Sequence, residues 1–314
     1  MGILQKSEKI ELIINNVEKV IIGKRKVIKL ALAGMLADGH ILFEDVPGVG
    51  KTILVRSLAK SIGCSFKRIQ FTPDLLPSDV TGVSIYNQKT NDFEFREGPI
   101  LSQVVLADEI NRATPRTQSS LLESMAEKQI TVEGISRRLP DPFLVMATQN
   151  PVEYDGTFPL PEAQLDRFMI RMTIGYPGIE EEKQILHNLR VQHPIESLQA
   201  VISAEEFVEI QKEVKEVHLD EKISDYIVKI VSNSRKQQDL ELAVSPRGSI
   251  ALMKLGQAWA FIQGRDYIIP DDIKEIAESV LAHRIIIKAE SRLRGRNAST
   301  VIKGLLKGTE VPLE

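Results

Sequence analysis

The residues best suited to chemistry form a glycine-rich stretch, EDVPGVGKT at positions 44–52, which begins as the short apolar run ILFE ends. A phosphate chain is bound by backbone N–H groups that point at it, and Gly48 and Gly50 let a loop wrap that closely. Lys51 supplies a positive charge to the β- and γ-phosphates, and the Thr52 hydroxyl is a ligand for Mg²⁺. The stretch therefore predicts a phosphate-binding loop. The residues expected to contact a nucleotide in it are Pro47, Gly48, Val49, Gly50, Lys51, Thr52 and Ile53.

One position departs from the usual form of this loop, whose first residue is glycine. Asp45 occupies that position. The alternative interpretation is a glycine turn that merely joins a strand to a helix. The order of strand, loop and helix favours the nucleotide loop despite the departure.

A pair of acids ends the apolar run in VVLADEINRA, at positions 104–113. We expect Asp108 to hold Mg²⁺ through water and Glu109 to polarise an attacking water. Adjacent acids at a strand end are common on protein surfaces, so the pair gains its meaning from the phosphate loop on a nearby strand. A carboxylate directly after the metal-binding acid favours hydrolysis over transfer of the phosphoryl group to another substrate.

A third motif, TQNP at positions 148–151, follows the apolar run FLVMA. An Asn before a Pro is by itself typical of a turn. Here Asn150 ends a strand that we expect to lie beside the strand carrying Asp108. We therefore predict that its amide orients the lytic water or contacts the γ-phosphate.

Composition limits the other classes of function. Hydrophobic residues make up 43% and charged residues 26% of 314 residues, which indicates a globular chain with room for two domains. A net charge of −3 gives no general attraction to nucleic acid. Cys64 is the single cysteine and the five histidines are scattered, so we expect neither an internal disulfide nor a metal site built on them. The N-terminus lacks a signal-peptide core, and no apolar run reaches the roughly 18 residues of a membrane span, so we expect a cytoplasmic protein.

The first half of the sequence alternates apolar strands with helices, which predicts an α/β fold with a parallel sheet covered by helices on both faces. A helix is expected from Lys51 to about Ile62, and another begins at Thr114 and Pro115. The predicted strands are 41–44, 66–71, 104–108, 143–149 and 169–174. Two further segments, 83–95 and 130–139, read as β-hairpins.

The pattern changes after Tyr176, Pro177 and Gly178. From there on it is almost wholly helical, with a last helix expected from Pro270 to about Arg284. The other helices are predicted at 180–190, 203–214, 221–237 and 249–264. The sequence thus predicts an α/β core at 1–177 and a smaller all-helical domain at 178–314.

Four segments together resemble the MoxR family of AAA+ ATPases: GVGKT, LADEINRATPRTQSSLLESMAE, ATQNPVEYDGTFPLPEAQLDRF and SPRGSIALMKLGQAWA. The resemblance extends from about Val20 to Ala289. It implies a P-loop ATPase core that binds and hydrolyses Mg·ATP, followed by a helical lid. It also implies that the hairpin at 83–95 interrupts the second helix of the core and that the hairpin at 130–139 precedes the sensor strand.

The resemblance also implies roles for residues outside the three motifs. Segment 21–28, which includes Ile22 and Gly23, resembles the stretch that contacts adenine. Arg167 falls at the position of the arginine finger and Arg247 at that of the second sensor. A guanidinium can stabilise the charge of a phosphoryl-transfer transition state.

Structural interpretations of these arginines stay open. Arg167 could instead pair with Asp166 or Glu162, and Arg247 could serve lid packing. Arg112 is a further candidate to reach across an interface. Whether Arg247 serves its own nucleotide or that of a neighbour is also open.

For assembly, the resemblance implies a homo-oligomeric, hexameric ring, a client protein that the ring remodels, and a separate partner with a von Willebrand factor A domain. Two alternatives remain, a nucleic-acid motor and a nucleotide-gated regulator of transcription. The absence of a DNA-binding module and the mildly acidic balance disfavour the first. The absence of a GAFTGA-type loop disfavours the second.

Overall fold

The computed structural model describes residues 3–150, 156–190 and 192–312. Strands and helices alternate through the first part of the chain, as the apolar pattern predicts. Its elements are α1 (Ile3–Glu18), α2 (Arg25–Leu36), β1 (Ile41–Glu44), α3 (Lys51–Ser61), β2 (Phe66–Gln70), α4 (Pro77–Thr81), β3 (Gly82–Asn87), β4 (Asp92–Glu97), β5 (Val104–Asp108), α5 (Pro115–Glu127), β6 (Gln129–Val132), β7 (Ile135–Arg138), β8 (Leu144–Gln149), α6 (Glu162–Leu165) and β9 (Ile170–Met172).

The second part is mainly helical. Its elements are α7 (Ile179–Leu189), α8 (Pro194–Ser197), α9 (Ala204–Val214), α10 (Glu221–Ser234), β10 (Leu240–Leu242), α11 (Pro246–Ile262), α12 (Pro270–Leu281), β11 (Ile286–Ile287), α13 (Ala289–Leu293) and α14 (Ala298–Gly308).

A parallel sheet forms the centre of the first part, with the strand order β2-β5-β8-β1-β9 among the described residues. Nearly every residue of β1, β5 and β8 is buried, which explains why these strands read as continuous apolar runs. Because the strands are parallel, their carboxyl ends lie at one edge. The phosphate loop after β1, the acids at the end of β5 and Asn150 after β8 therefore share that edge. β8 lies between the other two strands.

Both predicted hairpins are present, as β3–β4 and β6–β7. The expectation that the first hairpin interrupts a helix differs from the structure. The short α4 precedes it, but turns rather than a helix lead from it to β5. The backbone crosses itself closely here, since a Cβ atom on Gly98 would lie 2.3 Å from the carbonyl oxygen of Val80. Pro99 follows directly and lacks the N–H of a continuing helix.

In the second domain the helices predicted from the pattern are confirmed, and the structure adds a short ribbon and the helices α8, α13 and α14. A short ribbon pairs β10 with β11, and the run of β-branched residues Ile285–Ile287 explains the second strand. The expectation that the helix from Pro270 is the last was wrong. That helix ends at Leu281, and α13 and α14 follow. Gly304 and Gly308 weaken the helical pattern of α14, whose buried face holds it in place.

The two domains share one hydrophobic core. Helix α2 packs against α9 and α11, and a single buried cluster extends from Ile10 to Leu305. The single tryptophan, Trp259 on α11, is 7% exposed and lines a cleft of about 410 Å³ between α2, β9 and α12. The boundary at 177/178 is therefore a change in the pattern of elements, and it stays a prediction as a boundary between units.

Candidate active site

The phosphate loop has the backbone that its glycines predict. Gly48 and Gly50 have φ angles of 84° and 90°, in the left-handed region, and a Cβ atom on either would meet nothing within 4 Å. The Lys51 ammonium donates to the carbonyl oxygens of Asp45 (2.6 Å) and Val46 (3.1 Å). Burial lowers the pKa of Lys51, and the charges of nearby acids, Asp45 first and then Asp108 and Glu109, oppose that shift. Lys51 therefore lies within the field of both acids of the second motif.

Asp108 is held at the end of β5 by two side chains that the sequence did not single out. Its Oδ1 accepts a hydrogen bond from the Thr148 hydroxyl at 2.6 Å. Its Oδ2 accepts from Nε and Nη2 of Arg68 on β2, at 2.9 and 2.6 Å. Thr52, the other predicted Mg²⁺ ligand, lies half-buried in the first turn of α3. A hydroxyl and a carboxylate are the oxygen donors that Mg²⁺ prefers, so the pair fits the ion.

Glu109 adopts a strained backbone, with a φ of 57° that non-glycine residues rarely adopt. Its N–H donates to the Thr148 hydroxyl at 2.8 Å, so one buried hydroxyl holds both acids. Its Oε2 accepts from the Gln70 amide at 2.7 Å and from Arg112 at 3.2 Å. Arg112, a candidate to cross an interface, is thus paired within its own chain.

Some of these missed residues carry a signal in the sequence. Arg68 and Gln70 stand two apart on β2, so they point to the same face of the sheet. The register pairs Gln70 with Asp108, which brings both side chains to the acids. Thr148 gives no such signal, because it reads as one more residue of a buried strand. Asn150 is half-buried after β8, and Pro151, the last residue of its motif, lies outside the described residues.

An apolar cavity of about 220 Å³ adjoins the phosphate loop. Of the residues expected to contact the nucleotide, five line this cavity: Ile22, Gly48, Val49, Gly50 and Ile53. Gly23, Pro47, Lys51 and Thr52 do not. Gly23 instead lies against the Glu181 carboxylate: a Cβ atom added to Gly23 would be 1.8 Å from Oε1 of Glu181.

The wall opposite the loop comes from residues that the sequence did not predict. Ile174, Gly175 and Pro177 from the connector between the domains contribute to it, and so do Asn188 and His193 after them. Asn188 and His193 are polar members of a mainly apolar lining. The N–H of Ile195 donates to Nδ1 of His193 at 3.2 Å, which fixes the orientation of the ring.

Arg167 and Arg247 share a groove of about 300 Å³ at the other end of the strands. Gly39 and His40, which precede β1, and Met169, which precedes β9, line the same groove. Arg167 donates from Nη1 to the Leu122 carbonyl at 2.8 Å. The structure therefore brings the two predicted arginines together and places them at the opposite edge of the sheet from Lys51.

A buried hydrogen-bond cluster joins the segment before β9 to the second domain. Asp166 Oδ1 accepts from Nε of Arg284 at 2.9 Å, and Oδ2 accepts from the Ser245 hydroxyl at 3.0 Å. The pairing with Asp166 that was the alternative interpretation of Arg167 is made by Arg247, whose Nη1 lies 3.7 Å from Asp166 Oδ2. Arg284 also donates to the Phe168 and Met169 carbonyls, at 2.7 and 3.1 Å.

Burial shifts the pKa of Arg284 and that of the adjacent His283. Burial lowers the pKa of Arg284, and the Asp166 carboxylate opposes the shift. Burial and the neighbouring Arg284 hold the pKa of His283 well below its usual value, so this ring is neutral. The cluster fixes the residues on either side of Arg167 to the end of α12.

Within the described residues, no helix combines the length and the apolar character needed to cross a membrane.

Comparison with known proteins finds similarity over the whole length. Residues 40–170 match the family model described as "ATPase family associated with various cellular activities (AAA)", and residues 232–304 match "AAA lid domain". An uncharacterised protein of Bacillus subtilis, YeaC, is 54% identical over 96% of this chain and 94% of its own. Chaperone MoxR1 of Mycobacterium tuberculosis is 37% identical over 99% of this chain and 84% of its own. Among solved structures, a candidate ATPase from Cytophaga hutchinsonii superposes with a TM-score of 0.91 at 39% identity, covering 99% of this chain and 97% of that one.

Proposed function

Because this chain belongs to the MoxR family of AAA+ ATPases, we propose that it binds Mg·ATP at the phosphate-loop edge of its sheet and hydrolyses it where two copies meet. The observation that carries the proposal is the division of the machinery between two edges. Lys51, Asp108, Glu109 and Asn150 lie at the carboxyl ends of the strands, and the arginine groove lies at the other end. A site divided in this way is completed by a second subunit.

The adenine base enters the apolar cavity between Ile22 and the connector, where burial of the faces of a flat aromatic ring is favourable. The N–H groups of the loop at Gly48 and Gly50 and the N-terminus of α3 receive the phosphates. Lys51 exchanges its two carbonyl acceptors for phosphate oxygens. Thr52 would hold Mg²⁺ directly and Asp108 through water, because both carboxylate oxygens of Asp108 already accept hydrogen bonds. The bound ion would neutralise charge on the phosphate oxygens.

Glu109 acts as the base that polarises the attacking water, and Asn150 orients that water from the next strand. The Thr148 hydroxyl accepts from the Glu109 N–H and so fixes the backbone of Glu109. Oε2 of Glu109 accepts hydrogen bonds from Gln70 and Arg112. Hydrogen bonds of this kind hold a general base in position for proton transfer.

Arg167 and Arg247 supply positive charge to the nucleotide of the neighbouring subunit. Both line one groove at the edge of the sheet opposite their own phosphate loop, which favours action in trans for both. Closed rings of such head-to-tail contacts give every copy one complete site, and we propose a hexamer.

The ring would remodel or mature a client protein in the cytoplasm, where ATP is supplied, with a partner that carries a von Willebrand factor A domain. The relative MoxR1 is described as a chaperone, which supports this role over that of a nucleic-acid motor or a regulator of transcription. The first domain, 1–177, would hold the nucleotide, and the second, 178–314, would act as the lid that carries Arg247.

The test compares Lys51→Ala and Glu109→Gln with a control, Glu133→Gln, in the turn of the second hairpin. Lys51→Ala should lose most ATP affinity, because a charge leaves a preorganised loop. Glu109→Gln should bind ATP and hydrolyse it about 10²–10⁴-fold more slowly, the usual contribution of a positioned base. The control should match the wild type in both assays. Near-normal ATP binding by Lys51→Ala would contradict the assignment of the loop, and near-normal turnover by Glu109→Gln would contradict that of the base.

The same variants test the client. Glu109→Gln loaded with ATP should retain client proteins that Lys51→Ala does not retain. Capture that is equal with both variants would mean that binding of those proteins does not depend on the nucleotide, and would contradict the remodelling role.

A further inference from the structure

Asp45 stands in the phosphate loop at the position where glycine is usual. A carboxylate in a loop that binds anions repels the phosphates, so its presence there needs a physical reason. The residue is 9% exposed, and a glycine would meet the backbone requirement of the motif equally well. Its hydrogen bonds supply the reason.

Among the described residues, the hydrogen bonds that this carboxylate accepts come from backbone N–H groups. Oδ2 accepts from Ile174 at 2.7 Å and from Gly175 at 2.8 Å, and Oδ1 accepts from Val46 at 2.9 Å. The ladder between β1 and β9 ends at Phe43 and Met172. The Asp45 side chain therefore takes over from the ladder and holds the chain where it leaves the sheet.

The two residues that it holds belong to the wall of the base cavity. Ile174 and Gly175 line the cavity together with Pro177. Gly175 has a φ of 69°, so the chain turns sharply at this point. On the far side of that turn, Lys24 donates to the Tyr176 carbonyl at 2.6 Å. The wall is thus fixed at one end by Asp45 and at the other by Lys24.

We propose that Asp45 is a positioning residue that ties the wall of the base cavity to the phosphate loop. The inference rests on the proposed binding of ATP at this site. A glycine at position 45 would leave the N–H groups of Ile174 and Gly175 unpaired, and the connector would lose its fixed distance from the loop. The base and the phosphates of one nucleotide would then no longer be gripped together.

The experiment compares two ligands, ATP and inorganic tripolyphosphate, which carries phosphates but no base. Binding of each to the full-length protein is measured for the wild type and for Asp45→Gly. We expect the variant to bind ATP about 10- to 100-fold more weakly, the effect of leaving buried N–H groups unpaired. Its affinity for tripolyphosphate should change by less than about 3-fold, because the loop keeps its glycines and loses a repelling charge.

Two further variants complete the test. Asp45→Asn keeps the shape and an acceptor oxygen but loses the charge, so a smaller loss confined to ATP is expected, even if Asp45→Gly does not fold. Asp220→Asn is the matched control, because Asp220 also accepts a backbone N–H, from Lys222 at 2.8 Å, at the start of α10. It should leave both affinities unchanged.

Equal losses of ATP and tripolyphosphate affinity in the Asp45 variants would overturn this inference and leave the proposed function intact. The absence of any loss of ATP affinity would do the same. A wild-type protein that binds no ATP would overturn the proposed function and this inference with it.

Discussion

At the scale of single residues, the groups proposed to do the chemistry depend on neighbours that do none. Thr148 is 1% exposed, and its one hydroxyl donates to Asp108 and accepts from the Glu109 backbone. Arg68 and Gln70 hold the same two acids from the adjacent strand. The acids are therefore oriented by hydrogen bonds from both neighbouring strands, which limits the positions they can take towards a bound nucleotide.

Thr148→Val tests this dependence, because valine has the same shape and lacks the hydroxyl. The Glu109 N–H would be left unpaired, so we expect the free energy of unfolding to fall by about 1–3 kcal/mol. Turnover should also fall, with little change in ATP affinity. Thr148→Ser keeps the hydroxyl and should retain most of the activity. Urea unfolding and steady-state hydrolysis measure the two effects. Equal turnover in the valine and serine variants would show that the hydroxyl does not orient the acids.

His40 provides a second prediction, on acid stability. It is buried before β1, where Nδ1 accepts from Val145 N–H and Nε2 donates to the Met125 carbonyl. Burial lowers its pKa from 6.5 to about 4. Between pH 4 and pH 6.5 the unfolded chain binds more protons than the folded chain. The free energy of unfolding is therefore not reduced by His40 above pH 6.5, and it falls as the pH falls from 6.5 towards 4.

The variant His40→Gln keeps a donor and an acceptor but cannot titrate. On acidification from about pH 7 to about pH 5, we expect the wild type to lose stability more steeply, by up to about 1.4 kcal/mol per pH unit. His283 remains in both proteins and contributes the same slope to each. Urea midpoints against pH give the comparison. Parallel curves for the two proteins would contradict a titrating role of His40.

The sequence could predict the acids, the lysine and Asn150 at one edge, because parallel strands bring their carboxyl ends together. It could not predict the partners of those groups. The bond from Thr148 to Asp108 depends on side-chain rotamers within a buried sheet, and the bond from Arg284 to Asp166 joins residues 118 positions apart. Asp45 was visible only as a departure from the motif, and its reason required the position of the connector.

At the scale of elements, the end of α12 and the segment before β9 behave as one unit. Arg284 has a side chain only 3% exposed and binds Asp166 and the carbonyls of the two residues after Arg167. Ser245 and Arg247 at the start of α11 meet the same aspartate. A movement of the second domain therefore moves the segment that carries Arg167.

Arg284→Met should break this unit. Removing one partner from a buried ion pair costs roughly 3–5 kcal/mol, so we expect a lower melting temperature together with slower hydrolysis at nearly unchanged ATP affinity. Arg284→Lys keeps the charge without the planar fork and should have the same pattern in milder form.

The matched control is Arg265→Met, which removes the partner of Asp272 within the second domain. It should lower the melting temperature without slowing hydrolysis in proportion. If it slows hydrolysis as much as Arg284→Met does, the effect comes from general destabilisation and not from the position of Arg167.

Elements with strong patterns were predicted well for a physical reason. β1, β5 and β8 are buried on both faces and read as apolar runs, and the start of α5 carries Pro115 in its first turn. Thr114 occupies the N-cap position as expected, but its hydroxyl contacts that of Thr117 at 3.3 Å and no backbone N–H. The sequence did not predict α14 or the β10–β11 ribbon. Helix α14 is stabilised by packing against α10 and α12, and the ribbon by pairing between two strands that are distant in the sequence.

At the scale of the whole molecule, we propose that each chain contributes one part to each of two active sites. One edge of its sheet carries the nucleotide groups, and the other edge carries Arg167 and Arg247. Hydrolysis would then depend on assembly. Specific activity should rise with protein concentration as rings form, and a flat profile from a protein that stays monomeric would contradict the proposal.

Mixing two inactive variants tests the division directly. Arg167→Ala should bind ATP almost normally and hydrolyse it up to about 10³–10⁵-fold more slowly, as loss of a finger in trans predicts. Lys51→Ala keeps its arginines and loses its own nucleotide. In mixed rings, some interfaces join an intact phosphate loop to an intact Arg167, so part of the activity should return. No recovery, in mixtures whose joint assembly is verified by cross-linking, would mean that Arg167 does not act in trans.

The cleft that Trp259 lines has a practical consequence. The indole is the only one in the chain and lies on α11, against α2, β9 and α12. Because water that enters the cleft shifts indole fluorescence to the red, we expect the emission wavelength of Trp259 to change if the second domain moves against α2 during the proposed cycle. The protein thus carries an intrinsic fluorophore where the two domains meet, and the proposed domain movement can be followed by its fluorescence without any label.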